Sequence, residues 1–188
     1  LPEDCLLGHG SCIGYGSLDL LPPKIGREVV VGAFCLVYRQ STISDGVNID
    51  NYCRIGNHVI VGESSKILYG AQLYDRCVIG KHCIIGSDVS ERVVIEDYVT
   101  FMGLMAHSHR NPNLDWDTTD EPSPIIREGS VVGVGAIIVG DATIGPFSYV
   151  GAGEIVRHDI PPHTVYLKGQ MSSIDSWRGF IRVRDQRA

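Results

Sequence analysis

Two histidines one residue apart, His107 and His109, open an eighteen-residue stretch, HSHRNPNLDWDTTDEPSP, in which ionisable side chains are concentrated. Imidazole is the side chain whose ordinary pKa lets it exchange a proton near neutrality, so the pair is a candidate for acid–base chemistry. Arg110 and Asn111 follow directly, and Asp115, Asp117, Asp120 and Glu121 make the segment acidic. Those carboxylates have two readings: they raise the local concentration of a cationic substrate, or they keep a surface loop solvated. Trp116 offers a flat apolar face to a sugar or base, or packs against a neighbouring subunit.

What positions this segment is a repeat. From Leu7, every sixth residue reads Leu7, Ile13, Asp19, Ile25, Val31, Val37, Ile43, Ile49, Ile55, Val61, Ile67, Leu73, Ile79 and Ile85, aliphatic in thirteen of fourteen places. A helix of 3.6 residues per turn would carry every sixth residue around its axis, and no ordinary strand keeps one phase for so long. The residue after the slot is glycine at 8, 14, 26, 32, 56, 62, 80 and 86, which is expected to supply the positive φ of a tight corner. Four residues past the slot stand small or β-branched residues, among them Ser11, Cys35, Ser41, Cys53, Ser65, Ala71, Cys77 and Cys83. Such a repeat describes a parallel β-helix: each hexapeptide is one short strand, and three make one triangular turn.

The phase breaks in identifiable places. Asp19, with Leu20 to Pro23, reads as a local bulge. After Ile85 the column restarts four residues on, at Val89, Ile95 and Phe101, and then fails through 107–124. It resumes with Ile126, Val132, Ile138, Ile144, Val150 and Val156. The expected fold is therefore all-β: about seven triangular turns over 1–157 with an external loop at 107–124, and a C-terminal extension at 158–188. Within that extension Ser172 to Arg187 is expected to form a capping helix carrying Trp177, Phe180 and Ile181. If the phase of Phe101 ran one step further, His107 would point inward, so His109 ranks first as the base and His107 second.

The chain has 188 residues, a net charge of −6 and no apolar run approaching a membrane span, which fits a soluble cytoplasmic protein without general nucleic-acid affinity. The N-terminus begins Leu-Pro with no initiator Met, and no basic-then-apolar leader follows it, so a trimmed or processed start without a signal peptide is expected. Five of the six cysteines fall in the small-residue column and Cys12 lies out of phase; no C-x-x-C pair occurs, so packing thiols are expected. His58 and His82 sit three past their slots, at corners.

The hexapeptide columns, the mid-chain histidine loop, Pro124-Ile-Ile-Arg-Glu-Gly-Ser-Val-Val-Gly-Val-Gly-Ala136, Val150-Gly-Ala-Gly-Glu-Ile-Val156 and Asp159-Ile-Pro-Pro162 together resemble the left-handed β-helix acyltransferases. Ala106-His107-Ser108-His109-Arg110 is similar to the loop of the xenobiotic, antibiotic and amino-sugar acetyltransferase branches. The resemblance implies a left-handed coil, a homotrimer with sites between neighbouring prisms, acetyl-CoA as donor, and a loop histidine as general base. On that reading the donor's arm runs along Gly135, Ala136 and Gly153, small residues that corner geometry explains equally well, with Arg157 and Lys168 toward its phosphates, and Arg110, Asn111, Asp115 and Trp116 are expected to meet a small-molecule acceptor. From Arg157 onward six cations face three aspartates, an excess suited to an anionic donor or to a solvated tail. Where members commonly read Gly-Asn-Pro-Ala, this chain has Gly169-Gln170-Met171-Ser172.

Acetyl transfer to the amine of an amino sugar is the expected activity, with O-acetylation its near alternative. A γ-type carbonic anhydrase would need three zinc histidines, commonly with a His-x4-His pair inside the coil. The chain's one such pair is His158 and His163, past the last expected turn, so no metal is expected. A non-catalytic trimeric assembly module is the third class.

Overall fold

The computed structural model describes residues 1–106 and 122–179. Its strands, mostly two residues long, stack in parallel into a prism of about seven turns. The first face is a ten-stranded sheet from Leu6–Leu7 to Gln170–Ser173, and the third is a seven-stranded sheet from Lys24–Ile25 to Thr143–Ile144. The second face is split into a four-stranded part, from Cys12–Tyr15 to Gln72–Leu73, and a three-stranded part, Leu104–Ala106, Ile137–Val139 and Ile155–Val156. An isolated bridge from Val89 to Leu73 lies between them.

The aliphatic slots form the core: Ile43, Ile49, Ile55, Ile67, Leu73, Ile79 and Ile85 are all wholly buried, stacked on their equivalents one turn away. Removing one such branched side chain leaves a cavity that neighbouring rungs cannot close, at a cost of roughly 2–5 kcal/mol. The small-residue column also points inward. Ser65 and Ser130 are buried there, their hydroxyls donating to Gly80 O at 2.8 Å and Gly145 O at 2.7 Å. Cys35, Cys53, Cys77 and Cys83 are buried in the same column, Cys5 is half-buried, and Cys12 is exposed.

The glycine column has a different cause from the one its spacing suggests. Positive φ falls three residues past the slot, where twelve non-glycine residues take it, from Glu28 and Phe34 to Phe147 and His163; Lys168 takes it in the terminal hairpin turn. Most glycines after the slot have ordinary φ. They are required because coils approach closely: a Cβ on Gly62 would lie 2.6 Å from Gly80 C, and one on Gly32 would lie 2.7 Å from Asn51 N. The same closeness lets corner side chains serve the backbone of the turn before. Asp45, Asn51, Asp75 and Asp97 each accept an N–H through Oδ1, from Arg27, Ala33, Asn57 and Lys81 at 2.9, 2.6, 3.0 and 2.7 Å.

Register measures the irregularities. Ile25 pairs with Ile43, eighteen residues on, but Leu7 pairs with Val31 and Ile13 with Val37, twenty-four on, so the bulge at Asp19 is one extra hexapeptide between Ile13 and Ile25. Leu73 to Val89 and Ile85 to Phe101 are sixteen, as are Ile144 to Ile160 and Val150 to Tyr166. The last two carry the coil beyond residue 157, because a corner shortened to four residues between Val156 and Ile160 hides the period.

The C-terminal cover differs from the expected helix. Thr164–Leu167 adds to the first face, turns at Lys168 and Gly169, and returns antiparallel as Gln170–Ser173. The one helical element in the described residues is a 3-10 turn, Ile174–Ser176, capped by Ser173 Oγ. A hairpin satisfies the edge of the last turn with backbone hydrogen bonds, which a helix laid across it would not do. Trp177 stacks on Tyr149 at 4.5 Å, fastening the cover to the first face. Phe180 and Ile181 lie outside the described residues.

Candidate active site

The loop begins where the strand Leu104–Ala106 ends. Met105 fills the inward slot of that strand, four residues after Phe101, and pairs with Ile138. The phase argument for His107 assumed a slot at 107, so it loses its premise. His107, His109, Arg110, Asn111, Asp115 and Trp116 lie outside the described residues. The loop's two roots are well held: Ser90 Oγ donates to Met105 O at 3.0 Å, and Ser123 Oγ donates to Glu91 O at 2.8 Å. The chain re-enters the prism on the third face as Ile125–Ile126, which pairs with Val94–Ile95.

The other end of that strand adjoins an edge whose character changes along the prism. Between the first and second faces, the residues three past the slot are Gly10, Phe34, Tyr52 and Gly70, and later Gly135, Gly153 and Gly169, all with positive φ. In between, the corners from Ile85 to Val89 and from Phe101 to Met105 are each two residues short. The edge is therefore cut back over two consecutive turns. Met102 lies across this notch, its thioether occupying the space that a Cβ on Gly86 would need, with Leu68 Cδ1 3.4 Å from the same point. The notch and the loop root stand at opposite ends of a three-residue strand, roughly 10 Å apart.

Beyond the notch the edge is open. A Cβ on Gly135 or Gly153 would meet nothing within 4 Å, so this ledge is smooth and accessible. Val134, 71% exposed, stands between two glycines beside it. Lys168 closes the row at the hairpin turn, where the Glu154 carboxylate accepts its backbone N–H and, at 3.1 Å, that of Gly169. Gly135, Gly153 and Lys168 therefore share one edge. Arg157 is exposed on a different edge, after the second face. Ala136 is buried with its methyl in the core, its N–H given to Gly133 O and its carbonyl taken by Leu104 N, so it packs the coil.

Sequence reasoning passed over Val134, Glu154, Met102 and Tyr69, all of which border this edge. Their signal was available in part, since outward positions are those between the slot and the small residue. The shortened corners, which bring them together, appear only in the register. The ionisable groups with displaced pKa values lie elsewhere: burial pushes the Cys77 thiol up to about 12, and its partner Cys35, together with burial, holds the Cys53 thiol well above the usual range.

No family profile matches the chain. It is 36% identical over 76 residues to serine acetyltransferase of Salmonella typhimurium, a match covering 40% of this chain and 26% of that protein. It is 23% identical over 165 residues to the bifunctional protein GlmU of a Geobacillus strain, covering 88% of this chain and 30% of that one. The chain thus spans less than a third of either curated relative. Among solved structures, the Francisella novicida UDP-N-acetylglucosamine acyltransferase superposes with a TM-score of 0.53 at 12% identity, over 92% of this chain and 67% of that one, which shows a shared fold.

Proposed function

We propose that this chain, which has the left-handed hexapeptide-repeat β-helix fold found in acyltransferases, transfers an acetyl group from acetyl-CoA to the amine of an amino sugar or a related small metabolite. The observation that carries this reading is the coincidence at one strand of two irregularities. A two-histidine loop leaves from one end of Leu104–Ala106, and the cut-back edge leading to an open glycine ledge adjoins the other. The match to a protein named serine acetyltransferase supports the same class of reaction.

The described residues fit an acyl-CoA. Gly135 and Gly153 leave room for an extended arm along the edge, and the Lys168 ammonium lies where that arm would end in phosphates. Bound acetyl-CoA supplies the activated acyl carbon. His109 takes the proton from the acceptor nitrogen as that nitrogen attacks the thioester carbonyl, and His107 orients or replaces it. As the tetrahedral species collapses, the carbon–sulfur bond breaks and the new amide forms. A backbone N–H of the coil stabilises the oxyanion. The acidic residues of the loop, Asp115 among them, draw in a cationic acceptor, with Arg110, Asn111 and Trp116 against it. The working unit is a cytoplasmic homotrimer, with sites between prisms.

A hydroxyl acceptor is the second reading, favoured because the acceptor in that relative's name, serine, carries one. Thiol release from acetyl-CoA in the presence of amino sugars, nucleotide-linked amino sugars, aminoglycosides and serine finds the acceptor, and hydroxylamine treatment of the product, which cleaves an ester and spares an amide, decides between them. We expect release with an amino sugar and a fall of about 10²–10⁴-fold in His109→Ala. Release with no acceptor, or full turnover in both His109→Ala and His107→Ala, overturns the assignment.

A further inference from the structure

We propose that Tyr69 is the stacking platform for the sugar ring of the acceptor, at the lip of the notch; this rests on the amino-sugar reading above. Tyr69 is 66% exposed, one of the most exposed aromatic side chains among the described residues. It ends a row of rings along the edge between the first and second faces. Phe34 and Tyr52 stack with centroids 5.3 Å apart and planes 17° apart, each giving one face to the other. Tyr69 instead meets Tyr52 edge to face, at 5.4 Å and 64°, which leaves ring surface uncommitted.

The surroundings of that surface are suited to a ligand. Gly70, beside it, has nothing within 4 Å of where a Cβ would stand, so the flank of the ring is open. On the next turn the edge is two residues short, and no full corner stacks on Tyr69 there. Leu68, the residue before Tyr69, converges with Met102 over Gly86 and gives the notch an apolar floor. The result is a wall, a floor and an open side at the cut-back part of the edge, the same notch from which the strand to the histidine loop begins. The apolar C–H face of a pyranose suits an exposed aromatic ring, whereas a linear amino acid would gain nothing from it.

The test compares wild-type protein with Tyr69→Ala, Tyr69→Phe and Tyr69→Trp, using glucosamine and UDP-linked amino sugars as acceptors. Tyr69→Ala is expected to raise the acceptor KM about tenfold, the loss of one ring contact of about 1.4 kcal/mol. The acetyl-CoA KM, kcat and Tm are expected to stay within experimental error of wild type, and the Phe and Trp variants to keep wild-type KM. A structural role would instead lower Tm and disturb both substrates. Saturation-transfer NMR on the sugar, read without turnover, separates the two layers of inference. Sugar binding that Tyr69→Ala abolishes sustains the platform even if no acetyl group is transferred, and then the transferase reading alone falls. No sugar binding to wild type, an unchanged acceptor KM in Tyr69→Ala, or equal loss in Tyr69→Phe overturns the platform.

Discussion

The buried cysteines of the small-residue column are packing residues by position, and the ionisation of Cys77 couples to folding. Burial holds Cys77 as a thiol up to about pH 12, whereas in the unfolded chain a cysteine ionises near 8.5. Between those values the folded state binds one proton more than the unfolded state, so stability falls as pH rises. Below 8.5 the contribution is fully present. Urea denaturation at pH 8, 9 and 10 is therefore expected to show a contribution from this thiol that decreases by up to about 1.4 kcal/mol per pH unit. The slope should become shallower in Cys77→Ala, and an unchanged slope would show that this thiol is not the coupled group. Their phase in the repeat revealed that these were core thiols, and it set apart Cys12, which is exposed. The histidine ranking had no such support, because it depended on which residue occupies the slot after Phe101, and the shortened corner put Met105 there.

At the scale of the element, glycine does two jobs in this coil. After the slot it prevents a clash with the next turn; three past the slot it relieves a left-handed backbone that twelve other residues adopt without it. Gly62→Ala places a methyl against the Gly80 backbone and is expected to cost roughly 1–3 kcal/mol or more, as overpacking does. Gly153→Ala, with φ +72 and open space around it, is expected to cost only about 1–2 kcal/mol. Thermal unfolding of the two variants checks the order, and a larger Tm loss at Gly153 would contradict it. The six-residue step was legible because every coil repeats the same burial. The cause of the glycine column was not, since contact between coils eighteen residues apart is invisible in a local pattern. The capping hairpin escaped notice for a related reason: its strands are specified by the edge they cover, and Ser172 and Ser173 carry no strong preference of their own.

For the molecule as a whole, each turn is held by its two neighbours, so defects are absorbed locally. Three shortened corners and the 107–121 segment leave the flanking register in phase, and the extra hexapeptide between Ile13 and Ile25 is accompanied by a single register shift between Ile13 and Tyr15. That tolerance lets a site be inserted into a stable scaffold. If the sites lie between prisms as proposed, light scattering should give three times the 20.5 kDa chain mass, and turnover per chain should fall on dilution as the trimer dissociates. A fully active monomer would contradict the shared site.

The amino-acid sequence by itself determined the coil, its direction of stacking, its core residues and the place of its largest interruption. All of these follow from a period that burial imposes on every turn. Tertiary structure decided where the edge is cut back, that Gly135, Gly153 and Lys168 share that edge while Arg157 does not, and that Tyr69 stands uncovered at its lip. The physical reason is register. A corner shortened by two residues brings strands sixteen rather than eighteen residues apart into register across it, and only the pairing of those strands records the change.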